Sequence, residues 1–146
     1  MKFKLIIDNS KEEEVVATVH ARSPLTDAIE ALIQNASGTD RVTAYTEDEM
    51  KVLSFSQIAC ITVLDGKTYA IDETGKQYRL KQRLYELEAI LPGCFIRINK
   101  SSLANEHHLE RFAAAFSGGV DAVFRCGYRE YVSRRCFAEI KRRYDL

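Results

Sequence analysis

The sequence predicts an α+β fold, mostly β, in which antiparallel sheets with short helices follow a small β-β-α N-terminal region. Short alternating runs crowd residues 41–80, Asp65-Gly66 and Thr74-Gly75 punctuate them as hairpin turns, and helical apolar spacing is confined to three stretches. At 146 residues the chain has the size of one ordinary domain, or of a small module with an extension. Its 46% hydrophobic and 29% charged residues are globular values, far from those of disordered chains.

Taken in order, Lys2 to Ile7 alternates, and Val15 to Ala21 alternates again after a polar stretch, so both are expected as strands. Ser23 suits an N-cap and Pro24 the first helical position. Leu25, Ile29, Leu32 and Ile33 then form a helical apolar stripe ending near Ser37-Gly38. Residues 1–40 therefore read as a β-β-α extension, a regulatory or dimer surface, and 41–146 as the main domain. Within the latter, strands are expected over Arg41–Thr46, Lys51–Phe55, Ile58–Leu64, Lys67–Asp72 and Lys76–Leu80. Leu84, Leu87, Ile90 and Leu91 share a helical face that Pro92-Gly93 ends, and Phe95 to Ile98 resumes a strand. Leu109 to Phe116 carries no assignable period. Strands over Asp121–Cys126 and Tyr128–Val132 flank Gly127, and a last helix runs from Arg134 to Tyr144 with Phe137, Ile140 and Tyr144 on one face. The three carboxylates Glu12-Glu13-Glu14 read as a solvated turn, and the region is too small for a phosphoacceptor receiver.

The formal charge of zero hides an asymmetry. Residues 1–55 carry 6 Lys and Arg against 10 Asp and Glu, whereas residues 56–146 carry 15 against 11. A phosphate-binding surface in the second part, with an acidic first part kept off the polyanion, fits that division. Cys60, Cys94, Cys126 and Cys136 include no C-x-x-C pair, and Cys60, Cys94 and Cys126 sit among apolar residues; buried thiols and a reducing, cytoplasmic compartment are expected. No segment approaches the length of a membrane span. A nucleophile with its base, a phosphate-cradling glycine loop and zinc-type spacing are all missing; neither an enzyme nor a cofactor is expected.

Two blocks carry the chemistry. In Phe95-Ile96-Arg97-Ile98-Asn99-Lys100-Ser101-Ser102-Leu103-Ala104-Asn105, alternation takes Ile98 inward and releases Asn99, Lys100 and Ser101 into a loop. Lys100 suits a guanine edge or a phosphate, Asn99 an adenine edge, and Ser101 a phosphate oxygen. Asn105 joins them, either at the nucleic acid or as a capping or Asx-turn residue. In Tyr131-Val132-Ser133-Arg134-Arg135, Ser133 is a plausible N-cap, and Arg134 and Arg135 present two forked donors beside it. Two cations at a helix N-terminus oppose its dipole, which points to an anionic partner. Lys141-Arg142-Arg143 is a weaker candidate, since cations at a helix C-terminus also complement the dipole.

The two blocks, in this order, resemble the signature of the LytTR family of DNA-binding domains. The resemblance runs from about Arg41 to Leu146 and includes Ile58 to Tyr69 and the helix Gln82-Arg83-Leu84-Tyr85-Glu86-Leu87-Glu88. It implies small antiparallel sheets that dock loops into successive major grooves of double-stranded DNA, with Lys67 of the Gly66-Lys67-Thr68 loop as a further base-contacting side chain. The chain is similar to stand-alone members that carry a short extension instead of a receiver. For these the resemblance implies a regulator reading promoter repeats as a homodimer, at least on DNA, and restrained by a small membrane protein. Cys136, Cys126-Gly127 and Ala104 depart from the usual pattern, which touches loop geometry rather than a DNA contact. The alternative is an interaction or sensor module with a LytTR-like fold that has lost DNA binding.

Overall fold

The computed structural model describes residues 1–37 and 40–144. Helix α1 spans Pro24–Ser37, followed by strands β1 (Arg41–Tyr45), β2 (Met50–Ser54), β3 (Ile58–Leu64), β4 (Lys67–Asp72) and β5 (Gln77–Leu80). Helix α2 (Leu84–Ile90) leads to β6 (Phe95–Asn99), β7 (Ser102–Asn105), β8 (Leu109–Ala114), β9 (Val120–Phe124), β10 (Arg129–Val132) and helix α3 (Arg134–Arg143). All pairings are antiparallel. A seven-stranded sheet has the order β2-β1-β5-β4-β3-β7-β6, and a three-stranded sheet the order β10-β9-β8. The mostly β architecture expected from the sequence is therefore what forms.

β3 explains why the molecule has layers. Its first five residues are all buried, as a strand covered on both faces requires. Ile61, with Leu103, Phe95, Leu80 and Leu53, packs on one side against Leu87 of α2. Cys60, with Ile96, Ile98 and Ala104, packs on the other against Phe124, Val132 and Ile140 of the small sheet and α3. A bulge between Ile58 and Cys60 sets this register. Burial pushes the Cys60 thiol well above its ordinary value and that of Cys94 to about 11, so both stay protonated and inert at neutral pH. Cys126, expected to be buried like them, is only half-buried.

The hairpins have stated local causes. Asp65 and Gly66 both take positive φ, 51° and 74°, the geometry of a two-residue turn that matches strand twist. The β4–β5 turn is built on Asp72, 3% exposed, whose Oδ1 accepts from Thr74 N (2.9 Å), Thr74 Oγ1 (2.6 Å) and Lys76 N (2.9 Å). Burial works to raise this carboxyl's pKa, but the hydrogen bonds outweigh it and hold the pKa below the ordinary value. A lowered folded-state pKa means stability that is complete above the unfolded value and lost as pH falls through the folded one. Asp72→Ala is expected to lower stability by about 1–3 kcal/mol near neutrality, with the deficit shrinking in strong acid. Urea unfolding at pH 7 and pH 3 checks this; an equal deficit at both would refute the assignment to the carboxylate.

The N-terminal region departs from expectation. The helix forms where its cap and stripe place it, and Ser23 Oγ accepts from Thr26 N (3.4 Å) in the expected role. Gly38, expected to close it, lies outside the described residues. Residues 2–7 and 15–21 form no strand and join no sheet. The expected stripe stays outside both apolar clusters, with Leu25 48% and Leu32 67% exposed. Polar contacts fasten α1 instead: Glu30 Oε1 accepts from Gly93 N (2.7 Å), and Arg22 bridges Asp27 and Glu30 (2.7 and 3.0 Å). Gly93 lets the Arg22 guanidinium approach closely: a Cβ there would lie 2.2 Å from Arg22 Nη1 and would displace that flexible side-chain end.

Candidate nucleic-acid interface

Three connections meet at one end of the seven-stranded sheet. β3 pairs with β4 up to Leu64↔Lys67, and with β7 up to Thr62↔Ser102, so the β3–β4 turn lies beside the β6–β7 turn. Val63 N donating to Ser101 O (2.9 Å) extends that ladder into the second turn. The β10–α3 junction is brought to the same end by Ser133 N donating to Ile98 O (2.9 Å) and Asn99 Nδ2 donating to Tyr131 O (2.7 Å). Lys67, Lys100 with Ser101, and Ser133 to Arg135 therefore share one surface although they are far apart in sequence.

Beneath that surface the polar groups are locked. Ser102 and Thr62 are both fully buried: Ser102 Oγ donates to Glu130 Oε1 (2.9 Å) and accepts from Thr62 Oγ1 (2.8 Å), which lies 3.3 Å from the same carboxylate oxygen. Tyr128 Oη donates to Glu130 Oε2 (2.6 Å). Burial and this bond push the phenol well up, keeping it a donor. Arg97 pairs with Glu88 of α2 and donates to Lys100 O (2.7 Å), fixing the peptide from which the Lys100 side chain leaves. A loop held by side chains whose own bonds are satisfied is preorganised for a ligand.

The eight residues singled out from the sequence divide into two groups. Lys67, Lys100, Arg134 and Arg135 are exposed. Among the described residues, none of these four side chains makes an ion pair, hydrogen bond or ring contact. Arg22, Arg41, Lys76, Arg97, Arg111, Arg129 and Arg143 are by contrast all paired with carboxylates. Uncompensated cations held on adjoining loops present a positive field to solvent. Ser101 is half-exposed beside Lys100.

Asn99, Asn105 and Ser133 have their polar atoms turned inward. Asn99 ends β6 instead of entering the loop; 7% exposed, it accepts from Ser101 N (2.8 Å) in addition to its bond to Tyr131. Asn105, 1% exposed, donates to Ile58 O (2.9 Å) and accepts from His107 N (3.0 Å), capping the short 3-10 turn at Glu106–His108. Their amides are occupied, so in this geometry they position loops and do not face a base edge. For Asn105 this is the capping alternative left open by the sequence. Ser133 caps α3, accepting from Cys136 N (3.2 Å), and frames the turn that carries the two arginines.

The sequence reading missed Arg97, Thr62, Ser102, Tyr128 and Glu130. Arg97 lay inside the quoted motif, and its strand position opposite a helix rich in Glu was the available signal. Thr62 and Ser102 gave none, because their partnership depends on the β3–β7 pairing. The tail cations prove engaged: Lys141 sits over the Phe137 ring (4.7 Å), Arg142 donates to Ala138 O (3.4 Å), and Arg143 pairs with Glu106.

The family model described as LytTr DNA-binding domain matches residues 48–145. An uncharacterized HTH-type transcriptional regulator of Staphylococcus aureus (strain MSSA476) is 31% identical over 100% of this chain and 99% of its own length, and one from strain NCTC 8325 / PS 47 is 30% identical over the same shares. Among solved structures, the LytTr DNA-binding domain of a putative methyl-accepting/DNA response regulator from Bacillus cereus superposes with a TM-score of 0.65 at 25% identity, covering 73% of this chain and 98% of that one. In this chain α1, α2 and α3 are separated by strands β1–β5 and β6–β10, so among the described residues no two helices form a helix-turn-helix. With a model match over most of its length and a full-length relative above 30% identity, the chain belongs to the LytTR family of DNA-binding domains.

Proposed function

We propose that this protein is a sequence-specific transcriptional regulator that reads promoter repeats through loops placed in the major groove, with two copies on paired sites. The observation that carries this is the convergence of Lys67, Lys100, Arg134 and Arg135, exposed and unpaired, on three connections at one end of a rigid sheet. Lys67, Lys100 and Arg135 are the base readers in this reading, and Arg134 the phosphate contact. Ser101 adds a hydroxyl for a phosphate oxygen. Asn99, Asn105 and Ser133 act through the loops they hold. The free thiols suit a reducing cytoplasm, and no helix among the described residues is long and apolar enough to cross a membrane. Residues 1–40 stand apart from recognition, so a fragment from Arg41 onward keeps its base preference.

Selecting bound fragments from random DNA tests this, followed by titration of the selected site across salt concentrations. Neutralising two to four phosphates makes log K fall with log salt at a slope of about −2 to −4. A selected consensus with such a slope is the expected result; no enrichment at low salt would overturn the reading.

A further inference from the structure

The apolar residues that neither core uses gather at the N-terminus. Phe3, Leu5 and Ile7 are 89%, 72% and 90% exposed. An open groove of about 460 Å³ lies between Val15, Ala17 and Val19 on one wall and Thr26 and Ile29 of α1 on the other. Among the described residues, the backbone of residues 1–22 makes one backbone–backbone hydrogen bond, the turn contact from Lys11 N to Asp8 O (3.3 Å). Two β-competent segments thus run unpaired on either side of a turn.

We propose that residues 2–7 of each copy lie, parallel, along residues 14–19 of a second copy and fill its groove, in a reciprocal exchange that forms a two-fold dimer. This rests on the two-copy part of the function proposed above and names the surface that performs it. Spacing comes first. The alternate residues 3, 5 and 7 repeat with the same strand period as the groove wall 15, 17 and 19, so one row can seat against the other.

Charge then selects the direction. In parallel alignment Lys2 lies beside Glu14; in antiparallel alignment Asp8 meets Glu14, and Lys2 lies at the far end beside His20. A parallel pair cannot close within one chain. It needs a crossover of roughly a dozen residues or more, whereas only residues 8–13 intervene here and the turn at Asp8 reverses the chain. A two-fold axis perpendicular to the segments supplies the missing direction, because it reverses the partner's first segment and so sets it parallel to this copy's second.

Area agrees. The chain exposes 10452 Å² at 16.6 kDa, against about 7,600 Å² for a compact monomer of that mass, an excess of about 2,900 Å². Covering half of that excess on each of two copies buries about 2,900 Å² in total, within the obligate-homodimer range.

The test uses the full chain, with mass measured by sedimentation at tens of micromolar. Wild type is expected at twice 16.6 kDa. Lys2→Glu with Lys4→Glu makes both segments acidic, and Glu13→Lys with Glu14→Lys makes both basic. Each variant is expected to dissociate at least tenfold more readily, while an equimolar mixture of the two recovers the dimer, since acidic and basic segments then meet across copies. A monomeric wild type overturns the proposal, as do variants that stay dimeric or a mixture that stays monomeric. Anisotropy with a single selected site, run alongside, is expected to show both variants binding as wild type does, so loss of the dimer and loss of DNA reading are separable.

Discussion

Arg135→Ala and Lys100→Ala are each expected to weaken binding to the selected site by about 1–3 kcal/mol, roughly ten- to a hundredfold, with unchanged thermal unfolding. Both side chains are exposed, and among the described residues neither makes an ion pair, hydrogen bond or ring contact, so its removal breaks no such interaction of the fold. The loss should concentrate on one base pair for each variant, because a bidentate Arg or a Lys at a guanine edge discriminates that position alone. Arg134→Ala serves as the internal contrast. It is expected to weaken all sequences alike and to flatten the salt slope by about one unit. Full affinity in Arg135→Ala and Lys100→Ala, with normal circular dichroism, would remove this surface from recognition.

Asn99→Ala is expected to have the second largest effect, by a different route. The substitution strips the partner from the Tyr131 carbonyl and from the Ser101 N–H, lowering stability by about 1–3 kcal/mol. Because these bonds join the β6–β7 turn to the entry of α3, Lys100 and Arg135 lose their fixed relation, and affinity should fall for every base position together. The salt slope should stay near that of wild type, since no phosphate contact is lost. Calorimetry and a salt titration of one preparation separate the outcomes. Unchanged stability together with loss at a single base pair would instead make Asn99 a reader.

This contrast shows where the sequence was legible. Turn chemistry was read correctly at Asp65-Gly66 because positive φ at both positions leaves few alternatives. Helix α3 was likewise set by a cap and an apolar face. β7 was not foreseen, because Ser102 and Asn105 look like loop residues until their buried partners, Thr62, Glu130 and the Ile58 carbonyl, are in place. β8 was hidden by the bulge between Leu109 and Arg111, which breaks its period. Alternation over residues 2–7 and 15–21 showed that those segments are competent to pair, but alternation carries no information about what they pair with. Asparagine was ambiguous for a similar reason: the same amide that fits an adenine edge also fits a buried carbonyl and N–H. Lys100, Arg134 and Arg135 have no such internal use among the described residues and emerge exposed where the motif placed them.

Methylation interference on the selected DNA is the most direct test of the claim that the loops at this sheet end read the major groove. Methyl groups at guanine N7 stand in that groove, and those at adenine N3 in the minor groove. The expected result is loss of binding on N7 methylation at guanines in each repeat, with repeats about one helical turn or a multiple apart, and disappearance of one of those positions in Arg135→Ala. Interference confined to adenine N3, or an N7 pattern identical in wild type and Arg135→Ala, would contradict it.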